Sequence, residues 1–265
     1  MGHLAAIPLP QPVLQPLIKL YSFGFGVDTE EIQLPPDGFA SFGDFFARKL
    51  RPEARPFPEE FDRFTSPCDG KLTAFGEIRT DEDPLFEVKG ERYLLKSLLG
   101  SEEESRSFEG GGFAVIYLHP RDYHRVHAPA TLHLAKTRHI PGARFSVASW
   151  CERWADGVYD KNERVVFHGR FPEGGALSVV MVAAFGVGNI VTSFHPGFSS
   201  KGNVCWERAF EPPSTLARGE ELGAFRLGST VVMVWSKGAV TLDDELETGP
   251  MQLGLPLGKV LSATT

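Results

Sequence analysis
The sequence predicts an α+β protein: a mostly antiparallel β core of sandwich or barrel-like form, with helices gathered at the N-terminal end. Three observations carry that expectation. Short runs rich in Val, Ile, Phe and Thr recur from residue 113 onward. Gly or Pro separates most of them, and helix-like patterning is confined mainly to the front.

The chain starts with MGHLAAIPLPQPVLQPLIKLYSFGFGV, in which Lys19 is the only fixed side-chain charge. Pro8, Pro10, Pro12 and Pro16 are expected to interrupt any helix across it. The stretch lacks the basic leader of a secretory signal and the unbroken apolar length of a membrane span. Apolar but unable to span, it either lies in a bilayer interface or packs on the protein's own surface. Ser41 predicts a helix start in SFGDFFARKL, with Asp44 three residues on completing an approximate capping box. A second helix is expected through GERYLLKSLLG (90–100). RTDEDPLFEVKGE (79–91) and EEES (102–105) read as solvated loops.

Strands are expected in FAVIYLH (113–119), ATLHLAKTRHI (130–140), ERVVFHGRF (163–171) and STVVMVW (229–235). The run from Leu177 to Phe194 is long enough to suggest a membrane helix. Gly186 and Gly188 split it into two strand-sized pieces, so a β-hairpin is the expectation there.

A hydrophobic share of 42% in 265 residues permits a substantial core, in one large domain or one domain with a smaller appendage. The net charge of −7 argues against a nucleic-acid partner, because no broad basic field is present to displace counterions from phosphates. Cys68, Cys151 and Cys205 are odd in number and scattered, without metal-ligand spacing, which suits a reducing compartment.

Four stretches concentrate residues capable of chemistry. In TSPCDGKL (65–72), Pro67 and Gly70 bracket Asp69, as in an ordinary turn. YLHPRDYHRVHAP (117–129) is the densest polar cluster. His124 and His127 stand three apart, which on a helical turn puts them on one face. No third metal ligand lies at a recognised spacing, so proton transfer suits the pair better than metal binding, and a structural role remains open. In YDKNERVVFH (159–168), Asn162 and Glu163 either orient a neighbour or make a turn. In RGEELGAFRLGSTVV (218–232), Ser229 either follows a turn or is a nucleophile. As a nucleophile, its hydroxyl attacks the carbonyl of Gly228 and converts the amide into an ester. Elimination then leaves a dehydroalanine that hydrolyses to a pyruvoyl group. Glycine offers no side chain to obstruct the attack, and the reaction needs a base with something to hold it.

Together these stretches resemble the phosphatidylserine decarboxylase proenzyme family. The matching motifs are FASFGDFFARKLRPEARP (39–56), SPCDG, the YLHPRDYHRVHAP block, NER and the terminal LGST, in the family's order and spanning about Phe39 to beyond Trp235. The resemblance implies self-cleavage at Gly228–Ser229 into a β chain (1–228) and an α chain (229–265) that opens with a covalent pyruvoyl group. It maps a charge relay onto Asp69, His127 and Ser229, with His127 as base and Asp69 orienting it. His124 is assigned to substrate carboxylate handling or proton transfer. The pyruvoyl, formed from Ser229, is the Schiff-base site for the amine of the phospholipid substrate, and no metal is implied. Phosphatidylserine then yields phosphatidylethanolamine and carbon dioxide. Cys68 is a departure, since many members carry alanine in that turn.

A lipid substrate gives residues 1–38 a purpose as a membrane-contacting segment ahead of a catalytic domain over 39–265. The enzyme is expected to sit peripherally on the cytoplasmic side of the cell membrane, as a homodimer. Arg48, Lys49, Arg51 and Arg55 are candidates for lipid phosphates, each contributing about 1 kcal/mol near an anionic surface. Two other classes are weighed. Biotinyl or lipoyl carrier modules are shorter and need a lysine tripeptide that is absent, and a Ser-His-Asp hydrolase needs a GxSxG elbow that LGSTVV does not provide. Within the resemblance, a relative acting on another serine-headgroup lipid or a soluble amino acid is the alternative.

Overall fold
Two strands run as continuous apolar tracts, Ala176–Ala183 and Ser229–Trp235, and every residue of both is buried. Strands covered on both faces need that pattern, and they form the centre of the molecule. A computed structural model describes residues 5–80, 83–88, 90–143, 145, 157–184, 190–194, 204–226 and 229–262. Its main feature is an eight-stranded antiparallel sheet. The strand order is Trp206–Leu216, Leu132–Ile140, Arg164–Arg170, Ala176–Ala183, Ser229–Trp235, Gly112–Leu118, Gly70–Glu77 and Gly249–Met251. The α+β class holds, and the longest described helix lies at the N-terminal end.

Register decides which side chains share a face. Ser229 lies opposite Leu118 on one side and Ala183 on the other, so Ser229, Val231, Met233 and Trp235 point one way and Thr230, Val232 and Val234 the other. Two three-stranded sheets cover the Ser229 face. One, ordered Ile190–Thr192, Glu221–Phe225, Arg125–His127, lies so close that a Cβ on Gly223 would sit 3.4 Å from Met181 Sδ. The other, ordered Val240–Leu242, Pro256–Val260, Arg63–Thr65, sends Phe64 onto Trp235 with ring centroids 5.3 Å apart. On the opposite face, Phe86 of the Pro84–Val88 strand packs on Phe113 at 5.1 Å. The result is a sandwich with one large core, beside which Leu14, Ile18, Val27, Ile32, Phe39 and Phe45 form a smaller second cluster.

Several local expectations need correction. A 15-residue helix, Gln11–Phe25, crosses the proline-rich start. Pro12 falls in the first turn, where a missing N–H loses nothing, and only Pro16 lies inside. An internal proline costs about 3 kcal/mol. Burying Leu14 and Ile18 on the facing stripe returns about 1.5–3 kcal/mol each, so the helix persists. It stops at Gly26, whose φ of 72° is the left-handed cap glycine favours.

The capping box at Ser41 forms, with the Asp44 amide donating to Ser41 Oγ at 3.1 Å over the helix Phe42–Phe46. GERYLLKSLLG is half strand (Glu91–Leu94) and half helix (Leu95–Leu99). Neither supposed loop is one. Leu85, Phe86 and Val88 are buried in a strand. The acidic run is a capped helical turn, Glu102–Arg106, whose Glu104 is held by Arg138 at 2.7 and 2.9 Å and by Lys136 at 2.7 Å. A distant arginine, invisible in the local sequence, draws Glu104 into a buried ion pair while Glu102 and Glu103 stay exposed.

Among the described residues, the two strands between Leu177 and Phe194 do not pair with each other as the expected hairpin. Ala176–Ala183 has both edges occupied, by Arg164–Arg170 and Ser229–Trp235, so Ile190–Thr192 pairs instead with Glu221–Phe225 in the small sheet. Gly186, Gly188 and Cys151 lie outside the described residues, as does Gly228.

Candidate active site
Two chain segments link the large sheet to the small one. The first runs from Leu118 through His119–His124 to Arg125. The second runs from Phe225 to Ser229. Their ends are clamped: the Phe225 amide donates to the His124 carbonyl at 2.9 Å, and Ser229 pairs across from Leu118. The candidate nucleophile is therefore held beside Leu118, where the histidine-rich segment begins. Its side chain is fully buried on the face that the His127 sheet covers, and Ser229 Oγ has no hydrogen-bond partner among the described residues. An orphaned buried hydroxyl is costly and calls for a functional account.

His124 and His127 do not share a helical face, because the backbone there is extended and Arg125–His127 is a strand. His124 stands just before that strand and His127 ends it, and the two rings have entirely different neighbours. His124 is sealed. Its Nδ1 stands 2.8 Å from the Asp122 carbonyl, which can only accept, so the proton sits on Nδ1 and Nε2 is left as a bare acceptor. Nε2 has no partner, and the Phe46 ring lies 4.2 Å from the imidazole centroid. Burial, with the charges of Arg48 and His119 adding to it, lowers its pKa to about 3, so the ring is neutral.

His127 is built differently. Its Nδ1 lies 2.8 Å from the Gly219 carbonyl, and its Nε2 is 3.0 Å from the Tyr123 hydroxyl, which donates to it. Burial pulls its pKa down, while the Gly219 bond and the charges of Glu221 and Asp69 oppose the shift. Tyr123 is itself buried and its phenol pKa pushed up by burial, so it stays protonated and able to donate.

Asp69 closes the SPCDG turn. The turn is tied to the histidine strand by the His127 amide, which donates to the Pro67 carbonyl at 2.8 Å. Gly70 is required there, since a Cβ would stand 2.4 Å from the Tyr117 carbonyl oxygen. Cys68 is fully buried, and burial raises its thiol pKa, so the departure from alanine is accommodated as a small apolar filler.

Both Asp69 oxygens are engaged, by Arg55 Nε at 2.9 Å and Nη2 at 2.7 Å, with the Leu253 amide adding a third bond at 2.8 Å. Glu31 grips Arg55 at 2.8 and 2.9 Å. Asp69 lies close enough to His127 and Tyr123 for its charge to act on both, and among the described residues no hydrogen bond joins Asp69, His127 and Ser229. Tyr123 was not singled out from sequence, and Arg48 and Arg55 were expected there only as cations for lipid phosphates. The signal available was their position inside the matched motifs.

The basic run also needs correction as a lipid-facing surface. Arg55 is bound to two carboxylates, and Arg48 is only 3% exposed, donating through Nη2 to the Arg121 and Asp122 carbonyls. Arg51 and Lys49 remain exposed. The NER motif is structural at this site. Asn162 Nδ2 donates to the Ala183 carbonyl at 2.8 Å, holding the strand partner of Ser229, and Arg164 is saturated by the carbonyls of Ser97, Leu98 and Asn162.

A buried, unpartnered strand-start hydroxyl, on the sheet face covered by the small sheet that carries His127, belongs to a class of site suited to proton transfer at a serine. Comparison with known proteins specifies it. The family model for phosphatidylserine decarboxylase matches residues 42–257. A phosphatidylserine decarboxylase proenzyme of Azoarcus sp. (strain BH72) is 38% identical over 255 residues, covering 94% of this chain and 86% of that protein. Proteins of the same name from Alkalilimnicola ehrlichii (40% identity, 82% and 76% coverage) and Shewanella loihica (38%, 91% and 85%) agree. The chain belongs to the phosphatidylserine decarboxylase family, and it is a decarboxylase.

Proposed function
We propose that this protein decarboxylates phosphatidylserine to phosphatidylethanolamine after cutting itself between Gly228 and Ser229. The observation that carries the reading is the Ser229 hydroxyl, buried without a partner at the start of a fully buried strand. A covalent pyruvoyl group made from Ser229 fits this position, which holds no competing hydrogen bond to Oγ. When present, that group supplies an electron sink for the pair of electrons left as carbon dioxide departs.

The chain's own residues supply the protons. His127 is the base for self-cleavage. Its Nδ1–H is committed to Gly219, so Nε2 carries the lone pair, and exchanging the Tyr123 hydroxyl for Ser229 Oγ puts that lone pair to use. Asp69, fixed by Arg55 and Leu253, stabilises the imidazolium that then forms. His124, neutral and screened from water, handles the substrate carboxylate or returns a proton to the substrate α-carbon. Its bare Nε2 is the only ring nitrogen of the two histidines without a protein partner.

The lipid is met at a membrane surface by residues 1–38, with 39–265 as the catalytic domain. The Gln11–Phe25 helix buries Leu14 and Ile18 but exposes Val13, Leu17, Leu20 and Phe23, the last at 89%. It is anchored over the histidine segment by the Tyr21 hydroxyl, which donates to the Pro120 carbonyl at 3.0 Å. No helix among the described residues is long and apolar enough to cross a membrane, and the proposal is peripheral attachment on the cytoplasmic side, as a homodimer. Vesicle flotation tests the helix: Leu20→Glu with Phe23→Glu releases the protein while self-cleavage continues.

The central test is an intact-mass measurement. Wild-type protein gives two fragments divided at Gly228–Ser229, with a pyruvoyl on the smaller, and releases carbon dioxide from phosphatidylserine vesicles. Ser229→Ala gives one intact chain. A folded wild-type chain that stays whole overturns the proposal, and a cleaved protein active only on a soluble amino acid moves it to the alternative substrate class.

A further inference from the structure
A cleft of about 420 Å³ opens between the small sheet and the segment around residues 33–49. Its wall carries four cationic side chains, Arg48, Lys49, Arg125 and Arg226, against two carboxylates, Asp44 and Glu221. Glu221 is spent on Arg125, with both oxygens 2.8 Å from Nη1. Asp44 reaches Arg226 only at 4.0 Å. Lys49 has no acidic partner among the described residues and is exposed. Behind them Arg48 is 3% exposed, and its Nε and Nη1 have no acceptor. A buried guanidinium with two idle donors is an incomplete anion site. This excess positive charge is local, because the chain as a whole carries −7.

The location narrows the anion. Arg226 lies three residues before Ser229, and the neighbouring wall residue Ala224 pairs with Arg125 on the His127 strand. The other rim is apolar, formed by Leu34, Pro35, Pro36 and Phe39, with Leu34 70% exposed. A ligand spanning this cleft has an anionic group near Lys49 and Arg226 and an apolar portion along Leu34.

We propose that this cleft is a phosphodiester subsite, with Lys49 and Arg226 binding the phosphate of the lipid headgroup and Arg48 completing the field behind it. The assignment rests on the decarboxylase reading for the identity of the lipid, but the binding itself does not require turnover. Lys49 and Arg226 are the specificity elements, since a free amino acid has no phosphodiester to reach the site while its carboxylate is held at the reacting centre.

Binding is measured on full-length Ser229→Ala protein, which forms no covalent adduct, by calorimetric titration with glycerophosphoserine, serine and inorganic phosphate. Glycerophosphoserine binds, and Lys49→Gln and Arg226→Gln each weaken it about tenfold, the loss of one charge-assisted contact. Lys49→Arg restores most of it, which a merely structural lysine would not require. Serine binds far more weakly than the diester. Unchanged affinity in both glutamine variants overturns the subsite, and so does inorganic phosphate binding as tightly as the diester, which marks a free-phosphate site. In the cleavable background, Lys49→Gln is processed normally and shows a raised KM for vesicle phosphatidylserine with kcat within about twofold, the signature of lost uniform binding. Failure of wild-type protein to cleave or to release carbon dioxide defeats the decarboxylase reading and leaves the titration result standing by itself.

Discussion
His124 and His127 lie three residues apart and differ in almost every physical respect. His124 is fully buried, fixed in one tautomer by a carbonyl, packed on Phe46, and left with an idle Nε2. His127 is partly open, with a carbonyl on one nitrogen and a tyrosine hydroxyl on the other. The difference is what the proposed division of labour rests on. A ring already holding a hydroxyl-bearing partner at Nε2 can trade that hydroxyl for another, which suits a base that acts once on Ser229. A sealed ring with a vacant acceptor suits repeated work on a substrate from which water is excluded.

The comparison breaks most sharply at self-cleavage. His127→Ala and Asp69→Asn are expected to slow cleavage by about 10²–10⁴-fold, the usual size of general-base assistance, while far-UV circular dichroism stays native. Efficient processing in either variant removes that residue from the relay. His124→Ala is the converse case. Its chain cleaves normally, yet carbon dioxide release falls at least about 10²-fold in a steady-state assay. Uncleaved His124→Ala merges the two roles and ends the proposed division.

Arg55→Gln is a finer probe. It removes two charge-assisted bonds to Asp69 and leaves the Leu253 amide as that carboxylate's contact. Each such bond contributes about 1.5–3 kcal/mol, of which the surviving amide and water recover part, so cleavage is expected to slow about tenfold, with partial rescue by Arg55→Lys. A cleavage time course on pulse-labelled protein reads this directly.

The smallest effect is on stability against pH. His124 has a folded pKa of about 3, below its unfolded value, so the unfolded chain binds the proton first as pH falls. Stability is complete above the unfolded pKa and is lost progressively on acidification toward the folded one, by up to about 1.4 kcal/mol per pH unit. Replacing His124 with glutamine should flatten that acid limb in chemical denaturation between about pH 6.5 and 3. His127, whose pKa is also lowered but whose site is less sealed, should contribute a shallower slope in the same direction.

Much of the β core was legible from composition. STVVMVW is the strand Ser229–Trp235 residue for residue, because a strand buried on both faces is dominated by apolar side chains, here Val231 to Trp235. The Gln11–Phe25 helix was not legible. Proline count argued against it, and the compensating contacts of Leu14 and Ile18 come from a distant cluster with Val27, Ile32, Phe39 and Phe45. The same limit hid the helix at Glu102–Arg106, whose buried glutamate depends on Arg138.

The site divides in the same way. Sequence by itself determined which residue types are present for proton transfer at Ser229 and their order along the chain, because motif chemistry is local and read from residue identity. Tertiary structure alone decided that Asp69 answers to Arg55, that His127 holds Tyr123 while His124 holds nothing at Nε2, and that Arg48 is buried rather than lipid-facing. Those outcomes depend on which side chains packing brings within about 3 Å and on how much water it removes, and neither quantity is encoded in any single stretch of chain.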